Sequence, residues 1–258
     1  MAPAAPGILP QGFRRQSYDS LSSTSAKAFE LARAGEGNGL WVTAAEQTEG
    51  RGRRGRSWST ESGNLAASLL LIDPSRPPVA ATISFVAGVA LHQAVVDIAG
   101  PPVAERIALK WPNDLLLDRR KVSGILVEGE KLAGDRFAVV VGIGANCVAH
   151  PEIAGAIPAT DFAAGGIRIA MDALFARLAQ RIAEEIAVWD GGRGFAATRT
   201  AWLARCGGLG EAIRVNLPGR VIDGRFDNID DAGRLILINE GGAREAFSTG
   251  DMFLAAAG

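Results

Sequence analysis

The 258-residue sequence has few of the residues that build disulfide frameworks or zinc sites. It contains two cysteines, Cys147 and Cys206, and two histidines, His92 and His150, with no close cluster of the two residue types. Disulfide-rich secreted domains and zinc sites need several such residues at short spacing. We therefore expect no zinc and no disulfide, and a protein of the reducing cytoplasm. His92 lies off the apolar stripe of its predicted helix, so we expect it at the surface.

The chain also lacks an excess of charge and a long apolar run. It has 27 Lys and Arg against 28 Asp and Glu, which gives a net charge of -1, so a general nucleic-acid surface is not predicted. No stretch reaches the ~18 uninterrupted apolar residues that predict a membrane span. Residues 1–12 have no basic residue ahead of an apolar run, unlike a signal peptide. We expect neither nucleic acid nor membrane as a partner.

Residues 50–59 form a segment that we call the arginine loop, with the sequence Gly-Arg-Gly-Arg-Arg-Gly-Arg-Ser-Trp-Ser. Its composition is unfavourable for helix and strand, and each guanidinium offers a planar fork of donors to a carboxylate or phosphate. Such a loop is either an exposed basic turn of the kind that binds nucleic acid, or a grip for a compact anion. The neutral total charge favours the compact anion. Like charges and glycines predict that the empty loop is mobile.

Hydrophobic periodicity predicts a sheet backed by helices, followed by a small β domain. The apolar pattern gives helices at 22–33, 79–98, 169–189 and 199–205, and strands at 40–45, 65–72, 107–111, 115–117, 122–128 and 137–141. Short strands at 213–217, 221–226, 235–238 and 245–248, separated by tight turns, predict a small β-barrel. We expect a flexible lead-in at 1–15, a catalytic domain at 16–207 and the barrel domain at 208–258.

Four motifs in order carry a family resemblance. Gln47 precedes the arginine loop, and the chain continues with Lys110-Trp-Pro-Asn-Asp114, then Arg120-Lys121-Val-Ser-Gly-Ile-Leu-Val-Glu128, then Gly142-Ile-Gly-Ala-Asn146. Together they resemble the motifs of bacterial biotin protein ligases. The resemblance implies an α+β fold with a mixed sheet backed by helices, as in class II synthetases and biotin or lipoate ligases, and a C-terminal barrel of the SH3 type.

The resemblance also implies a two-step chemistry. Biotin and ATP, with Mg²⁺, form biotinyl-5'-AMP and pyrophosphate, and a lysine of a biotin carboxyl carrier protein then takes the biotinyl group. A carboxylate must approach a polyanion, and more negative charge develops as pyrophosphate leaves, so preorganised cations are needed. The arginine loop supplies such cations.

Residue roles follow from the same resemblance. Arg51, Lys121 and Asp114 are the implied catalytic residues. The implied biotin site contains Ser23, Thr24, Gln47, Gly50, Arg51 and Lys121, and the implied ATP site contains Arg53, Arg56, Trp58 and Asn146. Asp114 is also the implied residue for Mg²⁺, although an aspartate after Pro-Asn can equally serve to fix a turn.

The chain departs from the family pattern at three places. Ser25 stands where the family has asparagine, and Thr60-Glu61 stands where it has Ser-Pro. The segment 147–167 has no tryptophan to stack on an adenine, so aliphatic side chains such as Ile157 are the expected neighbours of the base.

Several alternatives stay open at this stage. A lipoate or octanoyl ligase or transferase shares the catalytic fold, and a biotin-sensing module without turnover belongs to a different class. The short segment before the first motif predicts a ligase without repressor function. A monomer and a homodimer both agree with the sequence, and it does not identify the carboxylase that accepts biotin.

Overall fold

The computed structural model describes residues 9–58, 60–151, 158–217 and 219–254. Its first part alternates strands and helices, and its last part contains only strands. In chain order the elements are β1 (Arg14–Leu21), α1 (Thr24–Arg33), β2 (Leu40–Gln47), β3 (Leu65–Ile72), α2 (Pro77–Ala80), α3 (Ile83–Ala99), β4 (Ile107–Lys110), β5 (Asp114–Leu117), β6 (Arg120–Lys131), β7 (Phe137–Ala145), α4 (Met171–Trp189), α5 (Phe195–Leu203), β8 (Ala212–Leu217), β9 (Arg220–Ile229), β10 (Leu235–Asn239), β11 (Arg244–Phe247) and β12 (Asp251–Leu254).

Strands β1 to β7 form one seven-stranded sheet in the order β1-β2-β3-β7-β6-β5-β4. The pair β1 and β2 is parallel, and the other neighbouring pairs are antiparallel. The predicted mixed sheet is therefore confirmed. The turns and strand ends of β5, β6 and β7 carry the last three sequence motifs, and this topology places them side by side.

Strand β3 shows how the core is built. All eight of its residues are buried because the sheet is covered on both faces. Leu69 and Leu71 pack into the large core that contains α3 and α4, whereas Leu70 and Ile72 pack into the smaller core under α1. Side chains alternate between faces along a strand, so a strand buried on both faces needs a continuous apolar run.

Helix α3 is more deeply buried than its sequence pattern predicts. The segment Pro77–Ala99 is long and apolar enough to cross a membrane, but 72% of its most apolar window is buried inside the molecule, as in a core helix. The predicted surface position of His92 is wrong, because this side chain is 6% exposed. Besides α4, helix α3 contacts α5, β4 and the turn before β4, so it has no single solvent-facing side. Burial and the nearby Arg205 lower the pKa of His92 to about 4.

The C-terminal strands form a five-stranded antiparallel sheet in the order β11-β10-β9-β8-β12. The predicted small β domain is confirmed as an antiparallel sheet, whereas its closure into a barrel stays a prediction, and β12 is a strand that the pattern did not reveal. Among the described residues no ladder joins the outer strands β11 and β12. The sheet shares one core with the first domain, and the indole Nε1 of Trp111 donates to the carbonyl of Gly233 at 3.1 Å.

Strand β1 was also missed. Its sequence, Arg-Arg-Gln-Ser-Tyr-Asp-Ser-Leu, has no apolar alternation, because it lies at the sheet edge and packs mainly through its backbone. It begins at Arg14, so residues 14 and 15 belong to the sheet although the predicted lead-in includes them. The predicted boundary near residue 208 stays a prediction.

Candidate active site

A cavity of about 290 Å³ lies between the N-terminus of α1, the arginine loop and the sheet face formed by β5, β6 and β7. Strand β12 of the C-terminal sheet contributes one lining residue, Asp251. The cavity brings together ten residues that the sequence predicts for the site: Ser23, Thr24, Gln47, Arg51, Arg53, Arg56, Trp58, Asp114, Lys121 and Asn146. Gly50 does not line this cavity and instead lines a second one, between the loop and the start of α1.

One end of the cavity, which we call the neutral end, is built on Gln47. The Oε1 atom of Gln47 accepts from the backbone N and the Oγ1 of Thr24, at 2.8 and 3.0 Å. Its Nε2 donates to Thr60 Oγ1 at 3.0 Å. These bonds fix the orientation of the amide and leave one N–H of Nε2 for a ligand. Thr60 was not predicted as a site residue, although it keeps the hydroxyl of the serine that stands at this position in the family's Ser-Pro pair.

Further hydroxyl groups continue this end. The hydroxyl of Ser68 on β3 is hydrogen-bonded to Thr24 Oγ1 at 2.8 Å and to Ser25 Oγ at 3.0 Å. Ser23 has a structural role as well, because its Oγ accepts from Ala26 N at 3.4 Å as the N-cap of α1. A Cβ at Gly142 would lie 2.7 Å from Ser25 Oγ, so glycine is needed there for α1 to approach the sheet.

The arginine loop folds as a hairpin. Trp58 N donates to Gly50 O at 2.8 Å, and Gly52 N donates to Arg56 O at 2.7 Å. Left-handed backbone at Arg54 and Gly55, with φ of 57° and 72°, makes the turn. At Gly50 a Cβ would lie 2.3 Å from Trp58 O, so the two sides of the hairpin approach too closely for any other residue. Because its carbonyl is bonded within the hairpin, Gly50 shapes the loop.

The four arginines of the loop have unequal surroundings. Among the described residues the guanidinium of Arg51 has no hydrogen-bond or ion-pair partner, and it lines both cavities. Arg53 makes two long contacts, each 3.4 Å, to Asn113 Oδ1 and Gly250 O, and burial lowers its pKa. Arg54 and Arg56 both pair with the carboxylate of Asp251. Arg51 and Arg53 are therefore the loop cations with no carboxylate partner in the described structure.

Trp58 lies on the sheet. Gly124 and Gly144 are register partners on β6 and β7, and a Cβ on them would lie 3.3 Å and 2.3 Å from the indole. Because neither glycine has a Cβ, the pair leaves a flat floor on the sheet, and the indole of Trp58 lies on this floor. Lys121 Nζ lies 5.5 Å from the ring centroid, within the range of a cation–π contact.

Another part of the cavity is a cluster of two lysines and one aspartate, and together with Arg51 and Arg53 of the loop we call it the charged end. Lys121 Nζ is 2.6 Å from Asp114 Oδ1, and Lys110 Nζ is 3.1 Å from Asp114 Oδ2. Burial raises the pKa of Asp114, but the two ammonium groups outweigh it and bring this pKa down to about 2. Burial lowers the pKa of Lys110. Lys110 was missed, although it pairs with Asp114 across the β4–β5 hairpin in the Lys-Trp-Pro-Asn-Asp motif.

These contacts do not fit a metal ion held by Asp114. Both of its carboxylate oxygens face an ammonium group, which would repel a divalent cation. Within the described ranges, no group of three or more His, Cys, Asp or Glu side chains is arranged to hold a metal ion. In this geometry Asp114 orients the two lysines.

Asn146 lies between the cavity and the chain that follows it. Its Nδ2 donates to Thr160 O at 3.0 Å, and its backbone carbonyl accepts from Phe162 N at 3.0 Å. Phe162 is fully buried in the core and does not line the cavity, so it is not an adenine stacking partner in this structure. Ile157, the expected aliphatic neighbour of the base, lies outside the described residues.

Two family models match the chain, one for each of its two sheets. The model of the biotin/lipoate A/B protein ligase family matches residues 19–146, and the model of the biotin protein ligase C-terminal domain matches residues 208–255. These matches place both the catalytic sheet and the C-terminal sheet in one class of proteins.

Individual relatives narrow the class. The chain is 40% identical to a biotin–[acetyl-CoA-carboxylase] ligase of Paracoccus denitrificans, over 90% of this chain and 96% of that protein. It is 33% identical to the protein of the same name from Mycobacterium tuberculosis, over 88% and 85% of the two chains. The structure of Aquifex aeolicus biotin protein ligase in complex with biotin and ATP superimposes with a TM-score of 0.76 at 26% identity, covering 94% of this chain and 99% of that chain. The chain belongs to the biotin protein ligase family.

Proposed function

We propose that this protein forms biotinyl-5'-AMP from biotin and ATP and transfers the biotinyl group to a lysine of a biotin carboxyl carrier protein. One observation carries the proposal: a neutral end of fixed amide and hydroxyl groups and a charged end of lysines and arginines line a single cavity. A molecule with a neutral hydrogen-bonding ring and a carboxylate tail matches both ends. Because both ends belong to one cavity, a carboxylate tail bound there can meet a second, anionic reactant that the cations hold.

The neutral end binds the ureido ring. Gln47 presents its remaining Nε2 hydrogen, and the hydroxyls of Ser23 and Ser25 present rotatable donors and acceptors. Hydrogen bonds to Thr24 and Thr60 hold the amide, so its orientation is already set before the ligand arrives. Preorganisation of this kind reduces the entropy lost on binding.

The charged end serves the first chemical step. A biotin carboxylate oxygen attacks the α-phosphorus of ATP, a new P–O bond forms, and the bond to the leaving pyrophosphate breaks. Arg51 has no partner among the described residues, and it neutralises the approaching carboxylate and the phosphoryl oxygens. Arg53 also lines the cavity, and the phosphates of ATP supply the anionic partner that its guanidinium lacks.

Lys121 exchanges its partner during this step. Its side chain is 27% exposed whereas that of Lys110 is 4% exposed, so Lys121 is the lysine that can turn towards a bound anion. When it leaves Asp114, Lys110 stays and keeps the buried carboxylate paired. An unpaired buried carboxylate is strongly unfavourable, so Lys110 makes the movement of Lys121 energetically accessible.

In the second step the amine of the carrier lysine attacks the acyl carbonyl and AMP leaves. The oxygen of Asp114 that Lys121 has left can then accept a hydrogen bond from this amine and orient it. The amine releases one proton as the amide forms.

The remaining components follow from the substrates. Mg²⁺ enters with the phosphates of ATP, because Asp114 is already occupied by two lysines. The carrier is the biotin-accepting subunit of a carboxylase such as acetyl-CoA carboxylase, the enzyme in the names of the relatives from Paracoccus and Mycobacterium. Carboxylases of this kind and the free thiols Cys147 and Cys206 support a cytoplasmic location.

Two other functions remain alternatives. A lipoate or octanoyl ligase belongs to the same broad class, but an apolar dithiolane or alkyl chain would leave the remaining Nε2 hydrogen of Gln47 without a partner. A biotin-sensing module without turnover would not need both Arg51, which has no partner among the described residues, and Lys121 in the same cavity.

Pyrophosphate release separates these functions. Purified protein is incubated with ATP and Mg²⁺ and with biotin, lipoate or octanoate in turn, and binding of each acid is measured in parallel by calorimetry. We expect release with biotin only, and transfer of biotin to a carrier domain when one is added. Release with lipoate alone would establish the first alternative, and biotin binding without pyrophosphate release would establish the second.

A further inference from the structure

The C-terminal sheet reaches the cavity through the first residue of β12. The carboxylate of Asp251 is 14% exposed, and it accepts from Arg54 Nη1 at 3.0 Å and from Arg56 Nη2. The backbone of Asp251 is held in place because β12 pairs with β8, with Asp251 opposite Asn216. One fixed carboxylate of the second domain thus engages two arginines of the loop.

The residues before Asp251 contact the same loop. The carbonyl of Gly250 accepts from Arg53 Nη1 at 3.4 Å, and the hydroxyl of Thr249 accepts from Arg54 Nη2 at 3.5 Å. Residues 249–251 therefore meet three of the four arginines. The two residues in each of these contacts are about 195 positions apart in sequence, so the contacts depend on the packing of the two domains and not on local geometry.

We infer that Asp251 is a positioning residue that latches the arginine loop to the C-terminal domain and keeps it closed over the activated intermediate. This role rests on the proposed function and deepens it. Four arginines within six positions repel each other, and the interleaved glycines favour an open, disordered loop. The shared carboxylate of Asp251 offsets part of the charge of Arg54 and Arg56 and holds the hairpin over the cavity.

The latch divides the loop into two pairs. Arg54 and Arg56 are held by Asp251, and Arg51 and Arg53 are left for ligand anions. The resemblance assigns Arg56 to ATP, whereas its contacts assign it to loop closure. The C-terminal domain then acts on the nucleotide through the loop.

A competing account has Asp251 as an occupant of the phosphate position that ATP must displace. The two accounts predict opposite changes. If Asp251 is a latch, its removal speeds the loss of biotinyl-5'-AMP and weakens ATP binding. If Asp251 is a competitor, its removal strengthens ATP binding.

The experiment measures the dissociation rate of radiolabelled biotinyl-5'-AMP from the full-length protein during a chase with unlabelled ligand. For Asp251→Asn we expect dissociation about 10-fold faster, the loss of one charge-assisted interaction. Biotin affinity changes much less, because Gln47 and the hydroxyls of the neutral end are untouched. Asp251→Glu, which retains the charge, should recover part of the retention. Asp223→Asn is the matched control, since Asp223 pairs with Arg214 in the same sheet away from the cavity.

A double-mutant cycle excludes a merely structural effect. Arg54→Gln/Arg56→Gln should release the adenylate as fast as Asp251→Asn, and adding Asp251→Asn to it should change little more. The arginine double variant alters only partly exposed side chains, so it carries the test even if Asp251→Asn does not fold. Unchanged retention in the double variant, additive effects, or tighter ATP binding in Asp251→Asn would each overturn the latch. Absence of adenylate from the wild-type protein would instead remove the proposed function itself.

Discussion

The two ends of the cavity are built on different principles. At the neutral end, Gln47 is fixed on both sides by hydrogen bonds, to Thr24 at the start of α1 and to Thr60, which also forms a β-bridge with it. At the charged end, Arg51 has no partner among the described residues and Lys121 shares Asp114 with Lys110. Recognition of a neutral ring requires fixed dipoles, whereas a reaction that redistributes charge requires cations that can change partner. The difference predicts that substitutions at the two ends affect different steps.

The largest effect is expected at the charged end. Lys121→Ala should slow adenylate formation by roughly 10² to 10³, because it removes one preorganised charge-stabilising donor. Biotin binding should weaken far less. The measurement is single-turnover pyrophosphate release, with Lys131→Ala as control, since Lys131 lies at the other, exposed end of the same strand. A wild-type rate for Lys121→Ala would show that the charged end does not act on the chemical step.

The corresponding change at the neutral end is Gln47→Leu. The loss of its ligand hydrogen bond, and of a partner for Thr24, should weaken biotin binding about 10- to 100-fold, the effect of about 1–3 kcal/mol for an unsatisfied buried group. ATP affinity should stay within about 2-fold if hydrogen bonding at this end is independent of the charged end. Calorimetry with each ligand tests this, and Gln16→Leu on β1, outside the cavity, is the control. Equal losses of affinity for biotin and for ATP would show that the neutral end and the charged end do not act independently.

Of the two ends of the cavity, the charged end is the one that acid should destabilise. The pKa of Asp114 in the folded protein, about 2, lies below its ordinary value of 3.8, so its ionised form favours the folded state. The stabilisation is complete above about pH 4 and is lost as the pH falls towards 2. Over this pH range the unfolding free energy of the wild type should fall by about 2 kcal/mol more than that of Asp114→Asn, which has no carboxylate to protonate at this position. Urea unfolding at several pH values measures it, and an unchanged pH dependence in the variant would contradict the pairing with the lysines.

The smallest effect concerns the orientation of the Gln47 amide. Thr60→Val removes the acceptor for Nε2 while retaining the shape of the side chain, and should weaken biotin binding about 3- to 10-fold. Thr198→Val is the control, because the buried Thr198 hydroxyl has no hydrogen-bond partner among the described residues. If Thr60→Val binds biotin as the wild type does, the amide is held by Thr24 alone.

The sequence predicted the parts of the site that lie within motifs. Hydrophobic periodicity located most helices and strands, the four motifs contain eight of the predicted residues that line the cavity, and the start of the first helix adds Ser23 and Thr24. Thr60 and Ser68 were missed because the sequence around a single hydroxyl carries no signal of its hydrogen-bond partner. Asp251 was missed for a stronger reason: its partners are almost 200 residues away in sequence, and only the packing of the two domains brings them together.

The errors at His92 and β1 have a related cause. Periodicity assumes that a helix has one buried side and that a strand has one apolar face. Helix α3 is covered on several sides, so a position away from the main stripe is still buried. Strand β1 joins the sheet edge through backbone pairing with β2, which leaves no mark in the side-chain pattern.

The position of Trp58 has an optical consequence. The chain has five tryptophans, and the other four, Trp41, Trp111, Trp189 and Trp202, are at most 2% exposed in the core. Trp58 alone lines the cavity, against a lysine ammonium group and the glycine floor of the sheet. A ligand that covers this floor or draws Lys121 away changes the surroundings of one indole while the emission of the other four stays constant. The protein therefore carries its own fluorescent reporter of site occupancy, without any label.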